Sequence, residues 1–191
     1  MAHIILASAS PRRRELLKMI TPDFDIASGI EVDETYPNTL PAEEVPVFLS
    51  QLKARAYRCR LATDHDILIT ADTVVIIDGD ILGKPASRDE AISMLTRLSG
   101  RTHHVVTGVT LTTLHKSESF SQLTQVHFDN ISSADIEHYV DNYRPYDKAG
   151  AYGIQEWIGA AAISGIEGSF YNVMGLPVHA LHQHLRNLNQ L

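Results

Sequence analysis

Three consecutive arginines, Arg12 to Arg14, stand where a helix begins. The run Ile4-Ile5-Leu6-Ala7 reads as a strand, Ser8-Ala9-Ser10 as a turn, and Pro11 as the first helical residue. Proline fits there because its missing N–H would have no partner in any case, and Ser10 before it suits an N-cap. A helix start already carries the positive end of the dipole, so basic side chains are misplaced unless an anion offsets them. Free backbone N–H groups, the Ser8 and Ser10 hydroxyls and the guanidinium forks together suit a phosphate. On this segment alone a solvated basic turn remains an equal reading.

Lys84, in Gly83-Lys84-Pro85, is a second candidate phosphate contact, although taken alone it reads more simply as an exposed structural lysine. It does not belong to a P-loop: three residues separate Gly79 from Gly83 where that motif needs four, and Pro85 replaces its Ser or Thr. Asp72 lies between two apolar β segments, Ile67–Thr70 and Val74–Ile77. A carboxylate there needs a partner or a task, because burial without one is costly. It reads either as a residue aimed at a site by an interrupted strand or as a bulge bonded to nearby backbone. Thr73 beside it offers a hydroxyl. The loop Glu31-Val32-Asp33-Glu34 supplies further carboxylates, and alone it reads as a solvated acidic turn. With Asp72, Glu31 and Glu34 could hold Mg²⁺ or Mn²⁺, ions that use one or two carboxylates and complete their shell with water and phosphate. His179 and His182 are spaced as a ligand pair but lack a third ligand motif, so a solvated helix face is the simpler reading. Cys59 has no base nearby in sequence and reads as inert.

The elements that must position these groups alternate between helix and strand. A helix is expected over about Pro11 to Ile20 and a strand over Phe24 to Ser28. A second helix carries Val45, Phe48, Leu49, Leu52 and Ala56 at helical spacing, with Pro46 awkwardly near its start. Asp78-Gly79 reads as a hairpin turn. Ser87 and Glu90 form a capping-box pattern for a helix stopped by Gly100. Strands follow over about His104 to Leu114 and Phe120 to Phe128. A helix opens at Ser132-Ser133-Ala134-Asp135, and a short hairpin is expected around Gly165 to Gly168. The last helix puts Val178, Leu181, Leu185 and Leu188 on one face. Strands that look like hairpins favour a mixed sheet over an all-parallel one.

The chain has 191 residues, 44% hydrophobic and 20% charged, the composition of a globular protein of one domain or two small lobes. Its formal charge of −7 argues against broad nucleic-acid binding, which needs a basic field. One cysteine rules out an internal disulfide and fits a reducing cytosol. No apolar run approaches a membrane span, and no secretory leader is visible. A cytoplasmic location is the default.

Taken together, Ser8-Ala9-Ser10-Pro11-Arg12-Arg13, Ala71-Asp72-Thr73, Gly83-Lys84-Pro85, Leu98-Ser99-Gly100, Asp147-Lys148-Ala149-Gly150-Ala151-Tyr152-Gly153-Ile154-Gln155 and Gly175-Leu176-Pro177 resemble the Maf family of septum formation inhibitor-like proteins. The motifs run in family order from residue 4 to residue 181. The resemblance implies a cytoplasmic nucleoside triphosphate pyrophosphatase that cuts between the α- and β-phosphates with a divalent metal cation. It implies an α/β fold with a mixed, elongated twisted sheet flanked by helices, similar to inosine triphosphatase. The whole chain, 1–191, would form a single domain of two lobes around a central cleft. The implied partners are a nucleoside triphosphate and a second copy in a homodimer, with neither nucleic acid nor membrane.

Carried over by motif, the resemblance makes Asp72 the proton acceptor. Arg12, Thr73 and Gln155 fall on base-selecting positions, and Ser8, Ser10, Arg13, Lys53 and Lys84 on polar or phosphate-contacting ones. An acidic position falls within Glu31 to Glu34. Arg in the first motif, Asp-Thr in the second and Gly-Ala-Tyr-Gly-Ile-Gln in the third are similar to the branch acting on dTTP and UTP. A sister branch acting on 7-methyl-GTP has different residues at all three. CTP, modified pyrimidines and a non-catalytic nucleotide sensor in cell division are the alternatives. The chain departs from the family pattern at Pro46 and at Glu156-Trp157, the latter bearing on the strictness of base choice.

Overall fold

The computed structural model describes residues 3–188. Strands β1 (His3–Ala7), β2 (Asp25–Ala27), β3 (Asp66–Ile77), β4 (Asp80–Leu82), β5 (Thr102–Thr112), β6 (Ser117–Phe128) and β7 (Ile163–Glu167) form one sheet. Its order is β2-β1-β3-β5-β6-β7, with β4 attached to β3. β1 pairs parallel with β2 and β3, whereas β4 runs antiparallel to β3 and β7 antiparallel to β6. The sheet is therefore mixed. Helices α1 (Pro11–Lys18), α2 (Val45–Tyr57), α3 (Arg88–Leu98), α4 (Ser133–Tyr143), α5 (Trp157–Ala162), α6 (Phe170–Met174) and α7 (Val178–Asn187) complete the α/β fold.

The chain divides into two compact units. The first comprises the chain up to Asp72, Thr107–Gln122 and the segment from Gly175 onward. Ile5, Ala7, Ala27, Tyr57, Leu61 and Leu68 pack together in it. Pro46 is no disruption here. It occupies the first turn of α2, where backbone N–H groups have no helical partner. A Cβ on Gly108 of β5 would stand 2.3 Å from the Pro46 carbonyl carbon and the Val47 nitrogen, so only glycine lets the strand pass so close to the helix start. The buried face of α2 is Val45, Pro46, Leu49, Ser50, Ala54 and Tyr57, rotated from the expected one: Phe48, Leu52 and Ala56 are only partly buried. The last helix buries Val178, Leu181 and Leu185 as its spacing requires.

The second unit comprises Thr73–Val106 and Leu123–Met174. Val75, Leu95, Leu98, Val126, Tyr139 and Ile158 are among the residues of its core. Asp78 and Gly79 both take positive φ, +56° and +82°, the backbone of a type I′ hairpin turn. Ser87 caps α3 by accepting the Glu90 N–H, while Glu90 reaches back to the Ala86 N–H at 2.7 Å. Gly100 follows α3 with a φ of +70°. The hairpin expected around Gly165 to Gly168 is instead strand β7, paired with the distant β6. Its five residues alternate weakly, and only the partner strand makes them a strand. Helices α5 and α6 are short and were not marked by periodicity.

Candidate active site

The strand–turn–helix at the N-terminus forms as its sequence requires. Ser10 caps α1, its hydroxyl accepting from the Arg13 N–H at 3.5 Å, and Pro11 opens the helix. The Ser8 hydroxyl accepts from the Ser10 N–H at 3.2 Å, closing the turn. Arg13 runs inward. Its Nε donates to the Gly175 carbonyl and its Nη1 to the Ala71 carbonyl, both at 2.8 Å. Burial lowers its pKa from the ordinary arginine value, and neighbouring Asp72 opposes that shift. Arg13 thus braces the backbone immediately before Asp72. Arg12 is half-buried on the same helical turn.

Asp72 lies within a continuous strand. No interruption occurs at it, since β3 runs unbroken from Asp66 to Ile77. Thr70 and Asp72, two residues apart, point to the same face. The Thr70 hydroxyl donates to the Ser50 carbonyl of α2 at 2.8 Å. One helical turn later, Lys53 donates to Asp72 Oδ1 at 2.7 Å. Two residues on a strand and three on a helix keep one face apiece, so the same helix–strand contact is made twice. Both side chains of the Lys53–Asp72 pair are largely buried, at 16% and 12% exposure. Removing one partner of such a pair leaves a costly uncompensated charge.

Glu34 completes this group. Its Oε1 lies 3.1 Å from the Lys53 ammonium. Of the two acidic-loop candidates, both exposed, Glu34 is the one that reaches the Lys53 ammonium beside Asp72. Two carboxylates meeting at one cationic nitrogen mark a point where oxygen donors alone hold positive charge. A hard divalent cation fits that donor set. Among the described residues no cluster of three or more His, Cys, Asp or Glu side chains could hold a metal ion. The protein would supply two carboxylates, leaving the rest of the shell to water and phosphate. His179 and His182 form no such site, and Cys59 is exposed on a 3₁₀ turn.

The second unit carries the other candidates. Thr73 is half-buried on β3, while Lys84 and Gln155 are exposed. The Gly83 carbonyl accepts from the Gly150 N–H at 3.0 Å, joining the Lys84 loop to the third motif. Gly150 has a φ of +68°, and a Cβ there would press on Val75. Lys148 is buried between Asp147 at 2.7 Å and Glu156 at 3.1 Å. Glu156 also accepts the Tyr139 hydroxyl, and that hydroxyl accepts the Gly153 N–H at 3.0 Å.

The sequence profile described as Maf-like protein matches residues 3–188. The chain belongs to the Maf family. Among its relatives, the dTTP/UTP pyrophosphatase of Porphyromonas gingivalis is 52% identical over 188 residues, covering 98% of this chain and 94% of the relative. Proteins of the same name from Phocaeicola vulgatus and Bacteroides thetaiotaomicron are 50% and 49% identical over 185 residues, each covering 97% of this chain and 95% of the relative. A solved HAM1 protein from Coxiella burnetii superposes with a TM-score of 0.54 at 14% identity, covering 98% of this chain and 100% of that one. At that identity the likeness concerns the fold alone, and it agrees with the mixed α/β sheet.

The Maf motifs pointed to Asp72, Lys53 and Arg13, and the structure gathers these three with Glu34. They gave no role to Tyr139, Lys148 or Glu156. One signal for Lys53 lay in the sequence: it falls in register with Pro46, Ser50 and Tyr57, on the buried stripe of an otherwise ordinary helix. For Tyr139 the comparable signal was a tyrosine on the apolar face of α4 with Ile136 and Val140.

Proposed function

We propose that this chain hydrolyses dTTP and UTP to the monophosphate and pyrophosphate. The observation that carries the reading is the meeting of Asp72 and Glu34 at the Lys53 ammonium. It is supported by relatives, 52% and 50% identical, whose names state that activity. In this reading water attacks the α-phosphorus, the new P–O bond forms opposite the α–β bridge, and pyrophosphate departs with the electron pair of that bridge. Asp72 takes the proton from the attacking water. Lys53 holds Asp72 in place, and Arg13 fixes the backbone before it. Ser8, Ser10 and Lys84 are assigned to the phosphates. Arg12, Thr73 and Gln155 are assigned to the base. Asp72 and Glu34 would hold Mg²⁺ or Mn²⁺, which when bound neutralises charge on the phosphate oxygens.

Uracil and thymine present an imide edge with one N–H donor between two carbonyl acceptors. Thr73 and Gln155 each carry donor and acceptor groups, so they suit that edge, and a site built on such bonds rejects a base that leaves them unpaired. A homodimer in the cytoplasm is part of the same reading, and sedimentation of the purified chain checks its size. The decisive experiment is a panel of nucleoside triphosphates with pyrophosphate detection and titrated Mg²⁺ and Mn²⁺. Release from dTTP and UTP that stops on chelation is the expected result. Binding without release in every condition would make the chain a nucleotide sensor.

A further inference from the structure

Helix α2, which carries Lys53, is seated on polar groups that the proposed reaction does not use. Ser50, Thr70 and Thr110 are all buried. The Ser50 hydroxyl donates to the Val47 carbonyl at 2.8 Å and lies 2.7 Å from the Thr110 hydroxyl of β5. Thr110 in turn lies 2.9 Å from the Ser119 hydroxyl of β6, which accepts from the Gln51 amide nitrogen at 3.2 Å. Each hydroxyl has a single proton. That of Ser50 goes to a carbonyl, which can only accept, so Thr110 donates to Ser50 and Ser119 donates to Thr110. The hydrogen bonds therefore run one way, from Gln51 through Ser119, Thr110 and Ser50 to Val47. They leave α2, pass through two strands and return to α2.

Apolar packing is non-directional and does not by itself fix how far a helix slides along its axis. Hydrogen bonds weaken steeply with angle, and a buried hydroxyl without a partner is costly. A satisfied buried network of this kind specifies one arrangement. Thr70 supports the same arrangement from β3, donating to the Ser50 carbonyl at 2.8 Å. Lys53 stands three residues after Ser50 on α2, and Asp72 two residues after Thr70 on β3. A slide of one residue, about 1.5 Å of helical rise, would break the hydroxyl chain and shift the Lys53 stem against Asp72.

We infer that the Ser50–Thr110–Ser119 hydroxyl chain fixes the register of α2 on the sheet, and that Ser50 and Thr110 are positioning residues that set the Lys53 ammonium against Asp72 for turnover. This rests on the proposed pyrophosphatase reading. Both residues act through Lys53.

The test is steady-state pyrophosphate release from UTP by the full chain and its Thr110→Val, Thr110→Ser and Ser50→Ala variants, each assayed below its unfolding midpoint. Thr110→Val keeps the shape but removes the hydroxyl, leaving Ser50 without a donor and Ser119 without an acceptor. Thr110→Ser keeps the hydroxyl and drops only the methyl. kcat should fall by about tenfold in Thr110→Val and by at least about threefold in Ser50→Ala, with KM within about twofold in both. Thr110→Ser should keep kcat within about twofold of wild type, a rescue that loss of packing alone would not give. Should Thr110→Val fail to fold, Ser50→Ala decides, since alanine is the stronger helix former at that position. Either folded variant, Thr110→Val or Ser50→Ala, keeping wild-type kcat overturns the inference and leaves the pyrophosphatase reading intact. So does a loss confined to KM, or a Thr110→Ser loss equal to that of Thr110→Val. Wild type that releases no pyrophosphate from UTP overturns the parent reading, and this inference falls with it.

Discussion

Two lysines in this molecule are each caught between two carboxylates. Lys53 meets Asp72 at 2.7 Å and Glu34 at 3.1 Å. Lys148 meets Asp147 at 2.7 Å and Glu156 at 3.1 Å. Their surroundings separate them. The Lys53 group is drawn from a loop, a helix and a strand far apart in sequence, and forms only once α2 is seated on the sheet. The Lys148 group lies within one stretch of chain, and Tyr139 locks its carboxylate to the backbone. One arrangement leaves carboxylate oxygens with capacity for a cation and a water. The other commits its carboxylate to holding a turn. Under the proposed pyrophosphatase reading, identical charge patterns serve chemistry in one place and geometry in another.

The sharpest way to break this comparison is Asp72→Asn. Pyrophosphate release should fall by about 10³-fold, within the range for a lost general base, while equilibrium binding of the triphosphate survives. Unchanged turnover would move Asp72 out of the chemical group. Next, Lys53→Met and Lys148→Met each remove the cation from a largely buried pair. Each should cost about 3 kcal/mol in denaturant unfolding, but only Lys53→Met should also depress kcat strongly. Equal kcat losses would erase the distinction drawn here.

Gly108→Ala probes the seating of α2. Its Cβ would collide with rigid backbone of Pro46 and Val47, so a destabilisation of about 1–3 kcal/mol is expected, with a fall in activity as Lys53 shifts.

The smallest expected effect is a pH dependence of the first unit's stability. His3 bridges Asp66 at 2.9 Å and Asp25 at 3.0 Å, and hydrogen bonds to Asp66 and then Asp25 raise its pKa. Its contribution is fully present below the unfolded histidine pKa of about 6.5 and is lost as pH rises through the higher folded value. His103 in the second unit has the opposite sign. Burial lowers its pKa to about 3, so the unfolded chain binds the proton first and stability falls as pH drops below about 6.5. Unfolding midpoints of His3→Gln and His103→Phe across pH should each lose one limb of this profile.

The sequence made much of this legible because several signals are local. Pro11 after Ser10, the positive-φ turn at Asp78-Gly79 and the Ser87–Glu90 pattern each dictate backbone within a few residues. The rotation of α2 was not legible, because Ser50 and Pro46 are buried by contacts with Thr110 and Gly108, which lie on a distant strand. The same held for β7, which needs β6 to exist. At the site, Asp72 stood out as an acid among apolar residues. The choice of Glu34 over Glu31 depended on where an irregular loop passes Lys53, and no periodicity encodes that.

Arg13 carries one more lesson. Its flat fork donates in a fixed plane to two carbonyls, those of Ala71 and Gly175, a geometry that a lysine ammonium on its flexible stem does not pre-organise. A homologue bearing lysine at this position would keep the formal charge yet lose the planar strut that joins α1 to the Ala71 and Gly175 backbone. In aligned sequences, the swap biochemists score as mildest would here be among the more disabling.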